Sequence, residues 1–213
     1  TITDSSNRMR ATYPQINSTL TGGKGASDKS LQIDLNNSTT SQFVTVTVSF
    51  DTSWAPYGVD IAEITLFDVD RGIPFTFFGT DYVVYRDEIR NIQALDMSSN
   101  AVYATSVTGS ASNVVTGSSS TYAVNGINGV TNGDYAEGNV VISFGTNTIR
   151  QFSFDYGNGA GTPPVFFNPG EQTIGIWNIT GRRVPEYHPA LAASLMCGLL
   201  SAWRCVRRKC SAS

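Results

Sequence analysis

The stretch Phe43-Val-Thr-Val-Thr-Val-Ser-Phe50 alternates apolar side chains with hydroxyl-bearing ones. Successive side chains of a strand point to opposite faces of a sheet, so a period of two is typical of a β-strand. Val44, Val46 and Val48 are expected to face a core, and the threonines between them to face solvent. The segment therefore predicts a half-buried strand with one solvated face.

The same alternation recurs along most of the chain. It appears in residues 61–67, 83–95 with interruptions, 102–107, 140–144, 149–156 and 174–179. Clusters of Gly, Asn, Ser and Pro separate these segments, as expected for turns. Strands in this number, without a long helical period, predict an all-β fold: an antiparallel β-sandwich, jelly-roll-like by strand count. A single domain over residues 1–180 accounts for them.

Two segments leave alternatives open. Residues 86–97, RDEIRNIQALDM, place Ile89, Ile92 and Leu95 three apart, which suits a short helix as well as an interrupted strand. Residues 105–133 are polar and rich in Ser, Thr, Gly and Asn, and they suit either a long loop or a pair of edge strands.

The composition is poor in charge. Only 15% of the 213 residues are charged, against about 25% for ordinary globular chains. Gly, Ser, Thr and Asn take the place of the charged residues, as is typical of exported β-proteins. Up to Glu186 the chain has ten basic and seventeen acidic residues, a net charge of −7, so a nucleic acid is not expected as a partner.

The C-terminal end departs from this pattern. Residues 190–203 carry no charge and are followed at once by four cations: Arg204, Arg207, Arg208 and Lys209. An apolar stretch before a basic cluster is a stop-transfer pattern, and the basic residues favour a cytoplasmic end. An amphipathic helix packed on the domain is disfavoured because the leucines leave no continuous polar face. The sequence therefore predicts one short C-terminal hydrophobic helix, transmembrane over 190–203, and a basic cytoplasmic tail over 204–213.

Val184-Pro185-Glu186, the apolar segment and the basic cluster together resemble the PEP-CTERM sorting signal of bacterial exported and surface proteins. In that family an exosortase-type processing enzyme recognises the tail in the membrane and cuts it near the Pro-Glu-Pro, in organisms that make exopolysaccharide. Tyr187 stands where the motif has its second proline.

This resemblance covers residues 184–213 and carries the expectations about location and partners. It implies a linker with the sorting motif over residues 181–189 and an extracellular β-sandwich domain before it. It also implies a location at the cell surface or outside the cell, with the C-terminal segment inserted in the membrane before processing. The membrane, the processing enzyme and exopolysaccharide are the partners that it implies.

Chemically reactive side chains are concentrated in the tail. Cys197, Cys205 and Cys210 all lie there, and so does the only histidine, His188. The predicted domain therefore contains neither a thiol nor an imidazole, which excludes a Ser-His-Asp triad and a histidine-bearing metal site within it. We expect a protein that is not an enzyme.

Asp68, Asp70 and Asp81 form the densest acidic group. Side chains at i and i+2 of a strand project to the same side, and a following loop returns Asp81 toward the other two. Carboxylate oxygens are ligands that Ca²⁺ prefers, so the group predicts a calcium site, with Ca²⁺ as the one cofactor. The alternative is that Asp68 and Asp70 end a strand, with one of them paired to Arg71 or Arg86 or bonded to turn amides.

Aromatic residues that lie beside amides and carboxylates can stack on sugars. Four candidates for a glycan-binding surface are Trp54, Tyr57, Tyr156 and Trp177. The sequence thus predicts, first, a non-catalytic exported surface or extracellular-matrix protein and, second, a carbohydrate-binding module. The third prediction is a jelly-roll glycan hydrolase, which needs two carboxylates from among Glu63, Asp68, Glu88 and Glu137.

Overall fold

A computed structural model describes residues 2–4, 7–25, 28–39, 42–129, 135–166 and 170–185. Within these ranges the secondary structure is almost entirely β. The strands are β1 (Ile2–Thr3), β2 (Gln15–Asn17), β3 (Ser30–Asn37), β4 (Phe43–Ser49), β5 (Val59–Phe67), β6 (Pro74–Phe77), β7 (Thr80–Val83), β8 (Asp87–Leu95), β9 (Ala101–Tyr103), β10 (Ser106–Thr108), β11 (Asn113–Thr116), β12 (Ala123–Gly126), β13 (Val140–Ser143), β14 (Gln151–Asn158) and β15 (Gly170–Arg183). Two 3₁₀ helices cover Ser119–Thr121 and Ala136–Gly138.

Two antiparallel sheets contain nearly all of these strands. Sheet A has the order β1-β4-β14-β8-β12-β11, with β9 also paired to β8. Sheet B has the order β10-β13-β5-β15-β3-β2, and β6 and β7 form a separate hairpin. This confirms the predicted all-β, antiparallel architecture.

Eight strands form the centre of the molecule, four in each sheet. Sheet A pairs them as β4-β14-β8-β12 and sheet B as β3-β15-β5-β13. In chain order, each of these strands lies in the sheet opposite its predecessor, except that β12 follows β8 in sheet A. Neighbours within a sheet are therefore far apart in sequence, so most of the sheet pairing is long-range.

The hydrophobic core lies between the two sheets. Val46 and Phe154 of sheet A belong to the same buried cluster as Ile64 and Ile174 of sheet B. Thr45, between the inward valines of β4, is exposed. The alternation of Phe43-Val-Thr-Val-Thr-Val-Ser-Phe50 thus places valines in the core and a threonine in solvent, as predicted.

Residues 86–97 contain a strand, so the helical alternative is wrong. The pairing of β8 with β14 shifts between Ser153 and Asp155, because Asn91 is an extra residue in β8 with a left-handed φ of 52°. Such a bulge returns the next side chain to the same face of the sheet. Ile89 and Ile92 are therefore both buried although they are three residues apart.

The polar region 105–133 supplies short strands, so the edge-strand alternative is the correct one for its described part. β10 is the outer strand of sheet B, and β11 is the outer strand of sheet A. At the C-terminal end, β15 continues to Arg183, so the boundary predicted at residue 180 falls inside a strand.

The predicted hydrophobic helix and basic tail lie beyond the described residues, which end at Pro185. Within the described ranges, none of the helices has the length and apolar character needed to cross a bilayer.

The outer face of sheet B is covered where β5 ends. Phe67 lies outside the central core cluster, yet it is fully buried, with Gly22 of the β2–β3 loop and Trp177 packed against its ring. Gly22 has a φ of 55°, and a Cβ built on it would overlap the Phe67 ring. Glycine is required there for two reasons, backbone conformation and close packing.

Alanine substitutions at two glycines distinguish the effect of backbone conformation from the effect of close packing. Gly79, in the hairpin turn, has a φ of 76° but no atom within 4 Å of a built Cβ. We expect Gly79→Ala to cost about 1–2 kcal/mol through its backbone alone, and Gly22→Ala to cost roughly 1–3 kcal/mol more through overpacking. Urea unfolding of both variants measures the difference. Equal losses would show that Phe67 does not pack on Gly22.

Candidate functional site

A cavity of about 250 Å³ lies where β5 separates from sheet B. The last pair between β5 and β15 at this end is Phe67 with Gly175, so residues 170–174 of β15 pair with β3 alone. Asp68, with a left-handed φ of 67°, turns the chain away from the sheet. The space left beside β15 is the cavity.

The cavity wall is predominantly polar. Carboxyl groups come from Asp68, Asp87 and Glu171, and carboxamides from Gln32 and Gln172. The wall is completed by two phenol rings and by small side chains: Tyr13, Tyr85, Thr19, Leu20 and Thr173. Seven of these ten residues precede β4 or follow β14, so residues far apart in sequence meet here.

Asp87 is the most deeply buried acidic residue of the wall, with 1% of its surface exposed. Its Oδ1 accepts hydrogen bonds from the Tyr156 hydroxyl at 3.1 Å and from Gln172 Nε2 at 3.0 Å. Its Oδ2 accepts the backbone N–H of Asp70 at 3.2 Å. Both carboxyl oxygens are therefore held by donors from three different parts of the chain.

A hydrogen-bonded network extends from Asp87 through both sheets. Gln172, on β15 of sheet B, accepts a bond from Asn37 Nδ2 at 2.5 Å. On the sheet A side, the backbone N–H of Arg86 donates to Asn158 Oδ1 at 3.0 Å. Gln172 Nε2 lies 3.4 Å from the same Asn158 oxygen. The polar groups thus form a continuous seam across the sandwich.

The charges around Asp87 oppose its ionisation. Burial raises the pKa of Asp87 well above its ordinary value, and the Asp70 and Asp68 carboxylates raise it further. Burial also raises the pKa of Tyr156 and of Tyr85 far above the ordinary value, and Asp87 adds to both effects. The hydrogen bonds from the Asp70 N–H and the Tyr156 hydroxyl lower the pKa of Asp87, but burial and the acids act more strongly, so the protonated form of Asp87 is favoured.

An ion-pair cluster lies at the mouth of the cavity. Arg10 Nη1 lies 2.9 Å from Glu171 Oε1 and 3.2 Å from Asp34 Oδ2. Burial raises the pKa of Asp34, while Arg10 acts in the opposite direction. The Glu171 carboxylate is thus compensated by Arg10.

The three aspartates of the predicted calcium site do not come together. Asp68 and Asp70 lie next to Asp87, but Asp81 is exposed near the tip of the β6–β7 hairpin, where it accepts a bond from Thr76. This hairpin is separate from both large sheets. Among the described residues, no group of three or more His, Cys, Asp or Glu side chains is placed to hold a metal ion.

The four aromatic residues predicted to bind glycans lie in three different environments. Tyr156 is fully buried and bonded to Asp87, so its assignment to a glycan-binding surface is wrong. Trp177 stacks on Phe67 with ring centroids 5.5 Å apart. Trp54 and Tyr57 are exposed, but they lie before β5, at the end of that strand opposite Phe67. They do not form one platform with Trp177.

The carboxylates considered for hydrolysis have separate surroundings. Asp68 lines the cavity with Asp87 and Glu171, and none of the three predicted glutamates shares that wall. Glu63 and Glu137 are exposed. Glu88 is half-buried, with its Oε1 4.0 Å from Arg90.

Only the first two residues of the sorting motif are described. Val184 donates its backbone N–H to Gly58 O at 3.1 Å, and Pro185 follows it at an exposed position. Five further residues assigned to sorting lie outside the described part of the chain: Glu186, Arg204, Arg207, Arg208 and Lys209.

Asp87 and Gln172, the centre of the site, were not predicted from the sequence. Each lies two residues before a buried apolar residue of its own strand, Ile89 and Ile174 respectively. A polar side chain at an inward position of an alternating strand was therefore the available signal. Such a residue must have buried partners, because an unpaired buried polar group is costly.

A second depression, of about 390 Å³, lies on the outer face of sheet A. Asp155 is central to it and accepts bonds from Thr45 Oγ1 at 2.7 Å and Asn91 Nδ2 at 2.6 Å. Tyr103, which is 40% exposed, forms part of its wall. Its central carboxylate thus has hydrogen-bond donors from the protein itself.

Together these features define an all-β protein of two antiparallel sheets with a buried carboxyl network. No protein-family model, curated protein or solved structure matches the chain.

The raised pKa of Asp87 predicts an unusual dependence of stability on pH. The folded state holds this proton more tightly than the unfolded state, so the stabilisation is complete below about pH 4, where a free aspartate titrates. It is lost as the pH rises toward the pKa of the folded state, by up to about 1.4 kcal/mol per pH unit. Replacing Asp87 with Asn, which does not titrate, should remove this slope.

Urea unfolding from about pH 4 to about pH 8 measures the slope. Asp51→Asn is the matched control, because hydrogen bonds from Ser53 lower the pKa of that exposed carboxyl. The control should keep the loss of stability with rising pH that the unmodified chain shows. Identical slopes for Asp87→Asn and the unmodified chain would disprove the assignment.

Proposed function

We propose that the chain is a non-catalytic component of an exported surface or extracellular-matrix protein, held at the membrane by its PEP-CTERM-like tail. The observation that carries the proposal is the way the domain is joined to that tail. The tail continues directly from β15, a strand of fourteen residues in the middle of sheet B. This central position favours an anchoring role for the C-terminal end.

β15 is paired on both sides. It pairs with β3 from Gly170 to Ile176 and with β5 from Gly175 to Arg183. A force applied at the C-terminus, parallel to the strand, acts on hydrogen bonds to both neighbours at once. A strand at a sheet edge would have only one set of such bonds, so this position suits a tethered domain.

Further contacts fix the end of β15 just before the tail. Arg182 and Asp60 form two hydrogen bonds, at 3.0 and 2.7 Å. Arg183 Nη1 donates to Trp54 O at 3.2 Å, and Val184 N–H donates to Gly58 O. The Arg182 side chain is exposed, and one ion pair at such a position contributes little stability. These contacts serve to hold the chain's exit point at the loop before β5.

The strand order supports the finer, jelly-roll assignment within this proposal. When the eight central strands are numbered 1 to 8 along the chain, their order is 1-8-3-6 in sheet B and 2-7-4-5 in sheet A. A jelly roll joins two Greek-key units in such an alternating way. Because many functions occur on this fold, it supports an extracellular module without indicating a reaction.

A carbohydrate-binding module is the second candidate, and the polar cavity beside Asp68 and Asp87 favours it. Tyrosine rings, carboxamides, hydroxyls and carboxylates in one small space are groups that bind sugars. The exposed aromatic residues support this candidate less, since they do not share one face.

Cell fractionation tests the anchoring proposal. Three forms are exported behind the same signal peptide in a bacterium that has an exosortase: the full chain, the chain ending at Arg183, and the chain with four substitutions. The substitutions are Arg204→Gln, Arg207→Gln, Arg208→Gln and Lys209→Gln. We expect the full chain in the membrane and surface fractions and the truncated chain in the soluble exported fraction.

The four-substitution form keeps the apolar segment and removes the basic stop signal. It should leak into the soluble fraction, because the positive residues favour retention of the tail on the cytoplasmic side. Resistance of the exported domain to protease verifies that each form is folded. If the full and truncated chains partition identically, the tail does not act as an anchor.

A further inference from the structure

Two exposed aromatic side chains lie where the chain leaves the domain. Trp54 has 50% of its surface exposed and Tyr57 has 42%, and both belong to the loop between β4 and β5. Ala55, which lies between them in sequence, is buried and fixes the loop to the domain. The loop is therefore attached through a small apolar side chain and presents its two aromatic rings to the outside.

Hydrogen bonds hold the backbone of this loop. Asp51 O accepts the backbone N–H groups of Trp54 and Ala55, at 3.1 and 2.8 Å. Asp51 Oδ1 accepts the N–H of Ser53 at 2.7 Å, and Gly58 ends the loop with a left-handed φ of 85°. Because these bonds fix the backbone before any contact is made, little loop entropy is lost when the rings bind a surface.

The chain leaves the domain beside Tyr57. Val184 donates its N–H to Gly58 O, and Pro185 lines one depression of about 260 Å³ together with Tyr57. The predicted apolar segment begins at Ala190, five residues after Pro185. Even fully extended, this connection spans at most about 18 Å. Whatever holds the apolar segment therefore lies close to the two aromatic rings.

Other loops meet around this exit point. A Cβ built on Gly58 would lie 3.2 Å from Met97 Sδ and 2.9 Å from Thr148 Cγ2, so three loops are in contact there. Met97 adds a third exposed apolar side chain. We call this surface the exit face, and it consists of residues 51–60, 96–99, 147–150 and 182–185.

The charges of the exit face cancel. It carries three acidic and three basic residues: Asp51, Asp60, Asp96, Arg150, Arg182 and Arg183. Residues 1–186 have a net charge of −7, so the whole of this excess lies on other parts of the chain. Anionic lipids give a membrane surface a negative potential. The exit face can approach such a surface without the repulsion that the acidic parts of the domain meet.

A bilayer surface suits the exit face better than a protein partner does. Trp and Tyr are enriched where lipid headgroups meet the acyl chains, because each ring is apolar and carries one polar atom. A stable interface with a second copy of the chain would bury about 800 Å² of each partner. The two half-exposed rings supply only roughly a quarter of that area.

We infer that the exit face lies on the lipid headgroups, with the rings of Trp54 and Tyr57 in the interfacial region of the bilayer. The inference rests on the proposed anchoring by the tail and adds to it an orientation of the domain. β5 begins at the exit face and runs away from it, so the β6–β7 hairpin, which follows β5, lies at the end of the domain far from the membrane.

Fluorescence quenching tests this orientation. The full chain is inserted into phosphatidylcholine vesicles in which part of the lipid is brominated near the headgroup. Trp177→Phe with Trp203→Phe leaves Trp54 as the single tryptophan. The matched control adds Trp54→Phe and Phe78→Trp, which moves the single tryptophan to an exposed position in the turn of the β6–β7 hairpin. We expect the brominated lipid to quench Trp54 severalfold more than the tryptophan of the control.

A partition measurement tests the contribution of the rings to binding. Trp54→Ser with Tyr57→Ser should lower the partition of the full chain into phosphatidylcholine vesicles at least about tenfold, because the aromatic area is no longer buried. Phe77→Ser with Phe78→Ser is the matched control, since it removes two exposed rings from the far hairpin. This control should partition as the unmodified chain does. Protease resistance of the domain verifies that each variant is folded.

Sedimentation of the unmodified chain with the vesicles distinguishes the two proposals. If the chain sediments but Trp54 is quenched no more than the control, the tail anchors the chain and the docking of the exit face is refuted. A tail segment or a second copy covering the rings would give that result. Equal losses of partition in the two double variants would also overturn the inference. If the unmodified chain does not sediment with the vesicles, anchoring and docking are both wrong.

Discussion

The carboxyl group of Asp87 is the constraint on which the arrangement of the two sheets depends. It sits inside the sandwich and is bonded to Tyr156 of sheet A and to Gln172 of sheet B. Removing a carboxyl group from water is costly, and the cost is lowest when the group stays neutral and all its oxygens have partners. Burial and the neighbouring acids favour the neutral form, whereas the hydrogen bonds from Asp70 and Tyr156 act in the opposite direction. The sheets must therefore keep the register that brings these donors together.

The same constraint divides the interior into two unlike parts. On one side of the seam, side chains such as Phe154 and Ile64 pack in a continuous apolar cluster. On the other side, β5 leaves sheet B at Phe67, and Asp68 begins a wall of polar groups around a cavity. An apolar core excludes water, whereas a cavity lined by carboxyl and carboxamide groups admits it. The position of the cavity thus follows from the point at which the apolar alternation of β5 ends.

The sequence predicted those parts of the fold in which local pattern and tertiary contacts agree. The alternation of β4 and β14 identified inward residues directly. It failed at β8, because the bulge at Asn91 changes the period, and a bulge depends on the partner strand. The glycan-binding assignment of Tyr156 came from its residue type and not from this alternation, and its buried hydroxyl reaches Asp87 instead. The cavity was beyond local patterns altogether, since its wall joins residues from Tyr13 to Thr173.

A single strand links the seam, the cavity and the exit toward the tail. β15 supplies Gln172 to Asp87, Thr173 to the cavity wall and Arg182 to Asp60. It lies between β3 and β5, so sheet B is complete only when this last strand has been inserted. Any molecule that binds the cavity binds only the state with β15 in place, and it therefore stabilises that state by mass action. The contacts that hold the chain's exit point belong to the same strand, so the seam and the exit point both depend on the pairing of β15 with β3 and β5.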